Sequence, residues 1–540
     1  MSSKKFFVRF LHLSAFAFLW PAFSQAQSSR QWFHLDPKAD STVGISTDRT
    51  YRELLKDRKP TPVVVAVIDG GIDSTQEDLK RILWTNPKEI PGNGIDDDKN
   101  GYVDDVHGWN FIGGKDGKNV QYENAEVTRL YAELRPVYEG KKRASLKPAQ
   151  QKEFDQYQKY KTEVEQKRAE YEDQYKSISS FYDQFSTVVD ILKRALNVSK
   201  LDTTILLNPP TDDALVKKQA GLLYELMKPQ GYAQTDDLDN ELKRGIEELG
   251  ARAKYGYNPD FNARSVVGDH PEDMNERHYG NADVTGPDAL HGTHVAGIIG
   301  ADRTNNVGVL GVADQVRIMA VRAIPDGDER DKDVANAIRY AVDNGAQIIN
   351  MSFGKDYSPN RRTVEEAIRY AQTKGVLLIH AAGNDSKLLD ITASYPSDKY
   401  LDGARIPNMI TVGAITSRND TNLVSPFSNY GRATVDVFAP GSEIFSTTPG
   451  NHYENLSGTS MAAPVVTGVA AVLKSYFPKL TYADIKRIIE QSATVYHTKV
   501  RQPESSKIVD FAGLSKTGGV VNLYEAVKMA QAESAAAKKG

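Results

Sequence analysis

The chain has 540 residues, enough for one large domain with an appendage or for two or three domains. Its charged fraction of 26% is ordinary for a globular protein, and a net charge of −4 with no basic tract points away from nucleic acid. Cysteine is absent, which excludes disulfides, thiolate metal sites, a thiol nucleophile and a lipid-modified N-terminal cysteine.

Residues 1–26 read as an export signal. Lys4, Lys5 and Arg9 precede an apolar run from Phe10 to Phe23, and Ser24-Gln25-Ala26 is a small-x-small cleavage site. The run is shorter than the ~20 residues of a spanning helix, and no later stretch is long and apolar enough, so no transmembrane anchor is expected. The mature protein is expected to be secreted or periplasmic.

Residues 27–114 contain the continuous apolar run Val63 to Ile68, which suits a central parallel strand covered on both faces. Thr47 to Lys56 is helix-like. Residues 115–279 are rich in Glu, Lys, Gln and Tyr. Apolar residues recur there at helical spacing, as in Tyr171, Tyr175, Ile178, Phe181, Phe185, Val188 and Leu192. Asn208-Pro209-Pro210 and Pro229-Gln230-Gly231 interrupt the pattern. This predicts a helical insertion, read as an antiparallel hairpin with shorter helices. Residues 280–530 return to strand-helix alternation, with strands at Ala346 to Met351 and Gly375 to Ala382 and helices at Asp333 to Asn344 and Thr363 to Lys374. The fold class is therefore α/β, a mostly parallel sheet with helices on both faces, plus an inserted α-helical subdomain. Residues 531–540 form a C-terminal tail.

Four motifs carry chemistry. Asp69 ends the apolar strand and is followed by Gly70-Gly71; alone it reads as a turn residue. His291-Gly292-Thr293-His294-Val295-Ala296-Gly297 reads as the start of a close-packed helix. A metal pair of His291 and His294 lacks a third ligand pattern. Ser460 in Gly458-Thr459-Ser460-Met461-Ala462-Ala463-Pro464 opens a helix of small residues, either as a cap or as an exposed nucleophile beside backbone N–H groups. Asn384 ends another apolar strand, where its amide can donate to a developing oxyanion. Together the four supply nucleophile, base, orienting carboxylate and oxyanion donor, in the order Asp, His, Ser.

With these motifs the sequence resembles the subtilase family of serine peptidases. Val65 to Leu79, His291 to Gly297 and Gly458 to Pro464 resemble its aspartate, histidine and serine motifs. The resemblance implies a serine endopeptidase acting on protein or peptide substrates through Asp69, His291 and Ser460, with Asn384 in the oxyanion site. It also implies a substrate-binding strand at Ser352-Phe353-Gly354, and a primary pocket lined by Gly383 and by Ser394-Tyr395-Pro396 that prefers apolar or aromatic side chains. Gly70 stands where many family members have Ser or Thr, and Asp69 and His291 are much farther apart than usual. The insertion in that gap could restrict the cleft, hold a partner, replace a propeptide or pack on the flank. A binding platform is the alternative function, and the complete set of catalytic residues argues against it.

The expected cofactor is structural Ca2+. Asp96, Asp98 and Asn100 alternate before Gly101 as in the first half of an EF-hand loop, but His107 replaces the twelfth-position Glu. The remaining ligands of that loop would be the Tyr102 carbonyl and Asp104; a solvated acidic turn is the other reading. By resemblance, Asp78 with Asn305, Val307 and Val309 matches the family's tight calcium site.

Overall fold

The computed structural model describes residues 30–536 apart from 229–231, 504 and 506. The expected signal peptide and the Pro229-Gln230-Gly231 break lie outside the described residues. The main sheet is built from β1 (Val63–Asp69), β2 (Gly108–Asn110), β3 (Val316–Arg322), β4 (Ile348–Met351), β5 (Leu377–Ala381), β6 (Met409–Ile415) and β7 (Val437–Pro440). After β7 come a hairpin of β8 (Ile444–Thr448) and β9 (His452–Leu456), then β10 (Thr494–Val495), the pair β11 (Lys499–Arg501) and β12 (Ile508–Asp510), and β13 (Gly519–Val520). The strand order is β10-β13-β7-β6-β5-β4-β1-β3-β2, and only the β10–β13 pair is antiparallel.

The helices are α1 (Thr47–Thr50, continued by a π turn at Tyr51–Leu55), α2 (Glu126–Tyr138), α3 (Pro148–Leu196), α4 (Thr203–Leu207), α5 (Ala214–Met227), α6 (Thr235–Ala251), α7 (Leu290–Gly300), α8 (Asp331–Asp343), α9 (Arg361–Thr373), α10 (Thr459–Tyr476), α11 (Tyr482–Gln491) and α12 (Leu523–Ala536). Alternate side chains of β1 serve two cores. Val63, Val65 and Val67 pack with α7 and α10 through Val295, Ala463 and Val466. Ala66 and Ile68 pack with α8 and α9 through Val334, Ile338, Val364 and Ile368. Each buried Val or Ile contributes about 1.5–3 kcal/mol, so β1 is anchored from both faces and its last residue, Asp69, is held in place. The glycines of α7 allow close approach: a methyl on Gly292 would lie 2.2 Å from the Gly71 carbonyl oxygen and 3.1 Å from Asp69 Cβ.

Two bodies are distinguishable, one of Ser29–Arg168 with Lys254–Gly540, the other of Ala169–Ala253. In the second body, Phe185, Val189 and Leu192 pack with Leu223, Met227 and Leu238 around a separate core. Asp202 and Asp213 cap α4 and α5, and α4 stops at Leu207, just before Asn208-Pro209-Pro210. Where the sequence suggested a hairpin, α3 runs 49 residues without a turn. In the larger body, α2 and the first turns of α3 share a small aromatic core of Tyr131, Tyr138, Phe154 and Tyr157.

The root of α2 also carries a buried ion network. Lys355, one residue beyond Gly354, has its Nζ 2.7 Å from Glu126, 2.9 Å from Asp331 and 2.7 Å from the Glu329 carbonyl. Arg129 pairs with Glu126 at 2.6 Å. Nearby, Tyr357 donates to Glu163 of α3 at 2.6 Å.

Candidate active site

The carboxyl ends of β1 and β5 and the N-termini of α7 and α10 carry the four motif residues. Asp69 is buried and accepts the Gly70 N–H at 2.8 Å. His291, in the first turn of α7, places Nδ1 2.8 Å and 3.0 Å from the two Asp69 oxygens. Loss of solvent around the ring lowers the His291 pKa, but the Asp69 charge and hydrogen bond, with Asp288 and Asp326 farther off, outweigh this and raise it overall. His294 is buried one turn on. Burial lowers its pKa to about 3, and Nε2 faces the Glu454 carbonyl at 3.1 Å, so it is a neutral packing residue.

Ser460 opens α10, which packs directly on α7. Its Oγ donates to the Ser352 carbonyl at 3.2 Å, while Ser352 Oγ donates to the Ser460 carbonyl at 2.9 Å. Among the described residues no hydrogen bond joins Ser460 Oγ to His291; such contacts tighten in substrate complexes. Asn384 Oδ1 accepts both the N–H and the hydroxyl of Thr459 at 2.8 Å, which commits the oxygen and leaves Nδ2 to donate. A methyl on Gly458 would lie 3.3 Å from Asn384 Nδ2 and 3.6 Å from the Ser460 nitrogen. The two donors therefore flank one small space, kept open by a glycine.

Several supporting residues gave no local sequence signal. Thr467 of α10 donates to Asn350 Oδ1 at 2.8 Å, and Asn350 Nδ2 donates to Ser352 Oγ at 2.9 Å, a buried chain that fixes the rotamer of Ser352. Thr459 Oγ1 also accepts the Gly383 N–H at 3.0 Å. Asn429 holds the loop after β5, donating to the Ala382 carbonyl at 2.9 Å and accepting the Asp385 and Lys387 N–H groups. Gly383 has φ +99°, and a methyl there would lie 2.5 Å from Asn429 Nδ2, so glycine is required.

Ser352, Phe353 and Gly354 continue beyond β4. Gly354 is exposed, and the next residue, Lys355, forms an antiparallel bridge with Tyr395. A nearby cavity of about 220 Å³ is lined by His380, Ala382, Ser394, Tyr395, Asp398 and Thr411 among others. Asp398 Oδ2 and Thr411 Oγ1 are buried with no hydrogen-bond partner among the described residues. Burial lowers the His380 pKa to about 4 despite its 2.9 Å contact with the Phe353 carbonyl, so this ring is neutral.

The residues of the two calcium readings separate differently. Asp78 is fully buried and accepts from the Asn305 amide and, at 3.0 Å, from the Val309 N–H. Val307 N–H is bound by Asn305 Oδ1. In the acidic loop, Asp96 and Asp98 lie together, both accepting the Asn100 N–H, and Asn100 Oδ1 accepts the Tyr102 N–H. Asp104 is turned elsewhere: its carboxylate accepts the N–H groups of Gly92, Asn93 and Gly94.

The chain belongs to the subtilase family, whose sequence profile matches residues 61–512. Among particular proteins, it is similar to the thermophilic serine proteinase of Bacillus sp. (strain AK1), 43% identical over 204 residues that make up 38% of this chain and 46% of that protein. It is also similar to thermitase of Thermoactinomyces vulgaris, 41% identical over 38% of this chain and 67% of that one. The chain spans about half the length of the first of these. A solved protease structure from Pseudoalteromonas arctica is 26% identical and covers 46% of this chain and 78% of its own, with a TM-score of 0.38.

Proposed function

We propose that the protein is an exported serine endopeptidase that cleaves protein or peptide substrates through an acyl-enzyme. The observation that carries this reading is that Asn384 Nδ2 and the Ser460 nitrogen flank one space, in a chain whose His291 is bonded to the buried Asp69. In the reaction Ser460 Oγ attacks the peptide carbonyl carbon while its proton passes to His291 Nε2. The carbonyl electron pair moves to oxygen, which Asn384 and the Ser460 N–H stabilise. Asp69 holds Nδ1–H of the resulting imidazolium. Collapse breaks the C–N bond as Nε2 returns the proton to the departing amine. Water repeats the cycle on the ester and releases Ser460. Ser352-Phe353-Gly354 would add the substrate as a strand, with Gly383 and Ser394 beside the residue preceding the cut bond. The insertion root, through Glu126 to Lys355 and Glu163 to Tyr357, would steady the segment that follows that strand.

Calcium is part of the proposal at Asp78. A fully buried carboxylate with no salt bridge among the described residues suits a cation. Asp78 and the Val307 and Val309 carbonyls would hold it, together with the Asn305 side-chain oxygen once the amide that here donates to Asp78 turns over. Bound there, Ca2+ would neutralise Asp78 and tie the 305–309 loop to the turn before it. The test of the main reading is covalent labelling by a fluorophosphonate together with casein digestion. Both should be lost in Ser460→Ala and His291→Ala with the circular dichroism spectrum unchanged, and full digestion by Ser460→Ala would overturn the assignment.

A further inference from the structure

We propose a second calcium site, formed by Glu89, Asp96 and Asp98. One carboxylate oxygen from each lies within 4.8 Å of the others, a span bridged by two bonds of about 2.4 Å to one Ca2+. Glu89 is seven residues upstream of the acidic run and only 7% exposed. Its Oε1 accepts the N–H groups of Asp97 and Asp98, at 3.0 Å and 3.2 Å. Its Oε2 is buried and has no hydrogen-bond partner among the described residues.

The two aspartates are already oriented. Asp96 accepts the N–H groups of Asn100 and Gly101, and Asp98 accepts the Asn100 N–H and the Asn86 side-chain amide. All of these donors are neutral. Among the described residues no lysine, arginine or histidine forms a salt bridge with any of the three carboxylates. Three like charges at this spacing, one of them almost fully buried, are costly unless a cation joins them. An all-oxygen donor set selects a hard cation, and carboxylates already fixed by backbone donors suit the flexible six- to eight-fold coordination of Ca2+ better than the strict octahedron of Mg2+.

The site differs from an EF-hand reading of the loop: Glu89 replaces Asp104 as the carboxylate from outside the Asp-x-Asp pair. The ion would join the turn at 86–89 to the run at 96–98. Behind that run, buried Asp105 accepts from Tyr340 of α8 at 2.6 Å, from Asn86 at 2.8 Å and from Asn100 at 3.0 Å. The ion would thus order the segment that leads into edge strand β2.

The experiment uses the full chain carrying Ser460→Ala, so that self-digestion does not intrude and the outcome does not depend on the peptidase reading. Protein stripped with EDTA is titrated with CaCl2 by calorimetry, and bound ions are counted by native mass spectrometry. Glu89→Gln and Asp96→Asn, which keep an amide oxygen for the backbone contacts, should each remove one ion or weaken it by about tenfold or more. Asp78→Asn should leave that ion in place. Should Glu89→Gln not fold, the half-buried Asp96→Asn decides the matter. Unchanged ion count and affinity in a folded variant, or no calcium uptake by the stripped parent, would overturn the site.

Discussion

Gly458→Ala probes the proposed oxyanion space directly. The backbone there is extended, with φ 165°, so alanine is conformationally allowed. Its methyl would sit 3.3 Å from Asn384 Nδ2 and 3.6 Å from the Ser460 nitrogen, close but without severe overlap. Folding should therefore survive, since a Gly-to-Ala change in allowed backbone stabilises by about 0.4–1 kcal/mol and offsets a tight contact. The developing oxyanion must approach the same two donors to about 2.7–3.1 Å, which the methyl obstructs. Losing two hydrogen bonds to a charged oxygen, at about 1.5–3 kcal/mol each, raises the barrier by about 3–6 kcal/mol. That is about 10²- to 10⁴-fold in kcat. The assay is steady-state hydrolysis of a chromogenic peptide alongside thermal melting. KM and Tm should change little. A well-folded Gly458→Ala that keeps kcat within about threefold would show that the oxyanion does not bind between Asn384 and Ser460.

Two further predictions rest on charge. Because His291 must be neutral to accept the Ser460 proton and its pKa lies above the ordinary 6.5, kcat/KM should rise through an acid limb with its midpoint above pH 6.5; Asp288→Asn should move that midpoint down, and an unmoved profile would count against the field of Asp288. Lys355→Met leaves Glu126 and Asp331 without their shared buried cation, so urea denaturation should show a loss of about 3–5 kcal/mol; a loss under about 1 kcal/mol would mean that Arg129 suffices.

Much of the site was legible because its residues sit at ends of elements with strong local signals. Val63 to Ile68 is apolar on both faces because β1 serves two cores, and Asp69 follows from where that run stops. The small residues of Gly458 to Pro464 mark a helix start needed close to β5. Other contributions were silent because they depend on contacts between distant segments. Asn350 and Thr467 are 117 residues apart and look like ordinary strand and helix residues. Asn429 holds the loop of Asn384 from 45 residues away, with no pattern around it. Glu89 was hidden by its distance from the acidic run, whereas Asp104 fitted the alternation and yet caps a neighbouring turn. The extent of the insertion was blurred for a related reason: helical periodicity does not distinguish the turns of α3 in the larger body from those in the second one.

The reciprocal hydrogen bonds between Ser352 and Ser460 couple the resting serine hydroxyl to the segment that would receive substrate. The hydroxyl that must attack is tethered to a carbonyl belonging to the strand where a peptide would dock. An incoming backbone N–H competes for that carbonyl oxygen, and winning it releases the hydroxyl towards His291. Docking and arming would then be one event, driven by the main-chain pairing of the substrate. Such a tether, one neutral hydrogen bond worth about 1 kcal/mol, would favour attack at moments when a polypeptide already lies in the cleft.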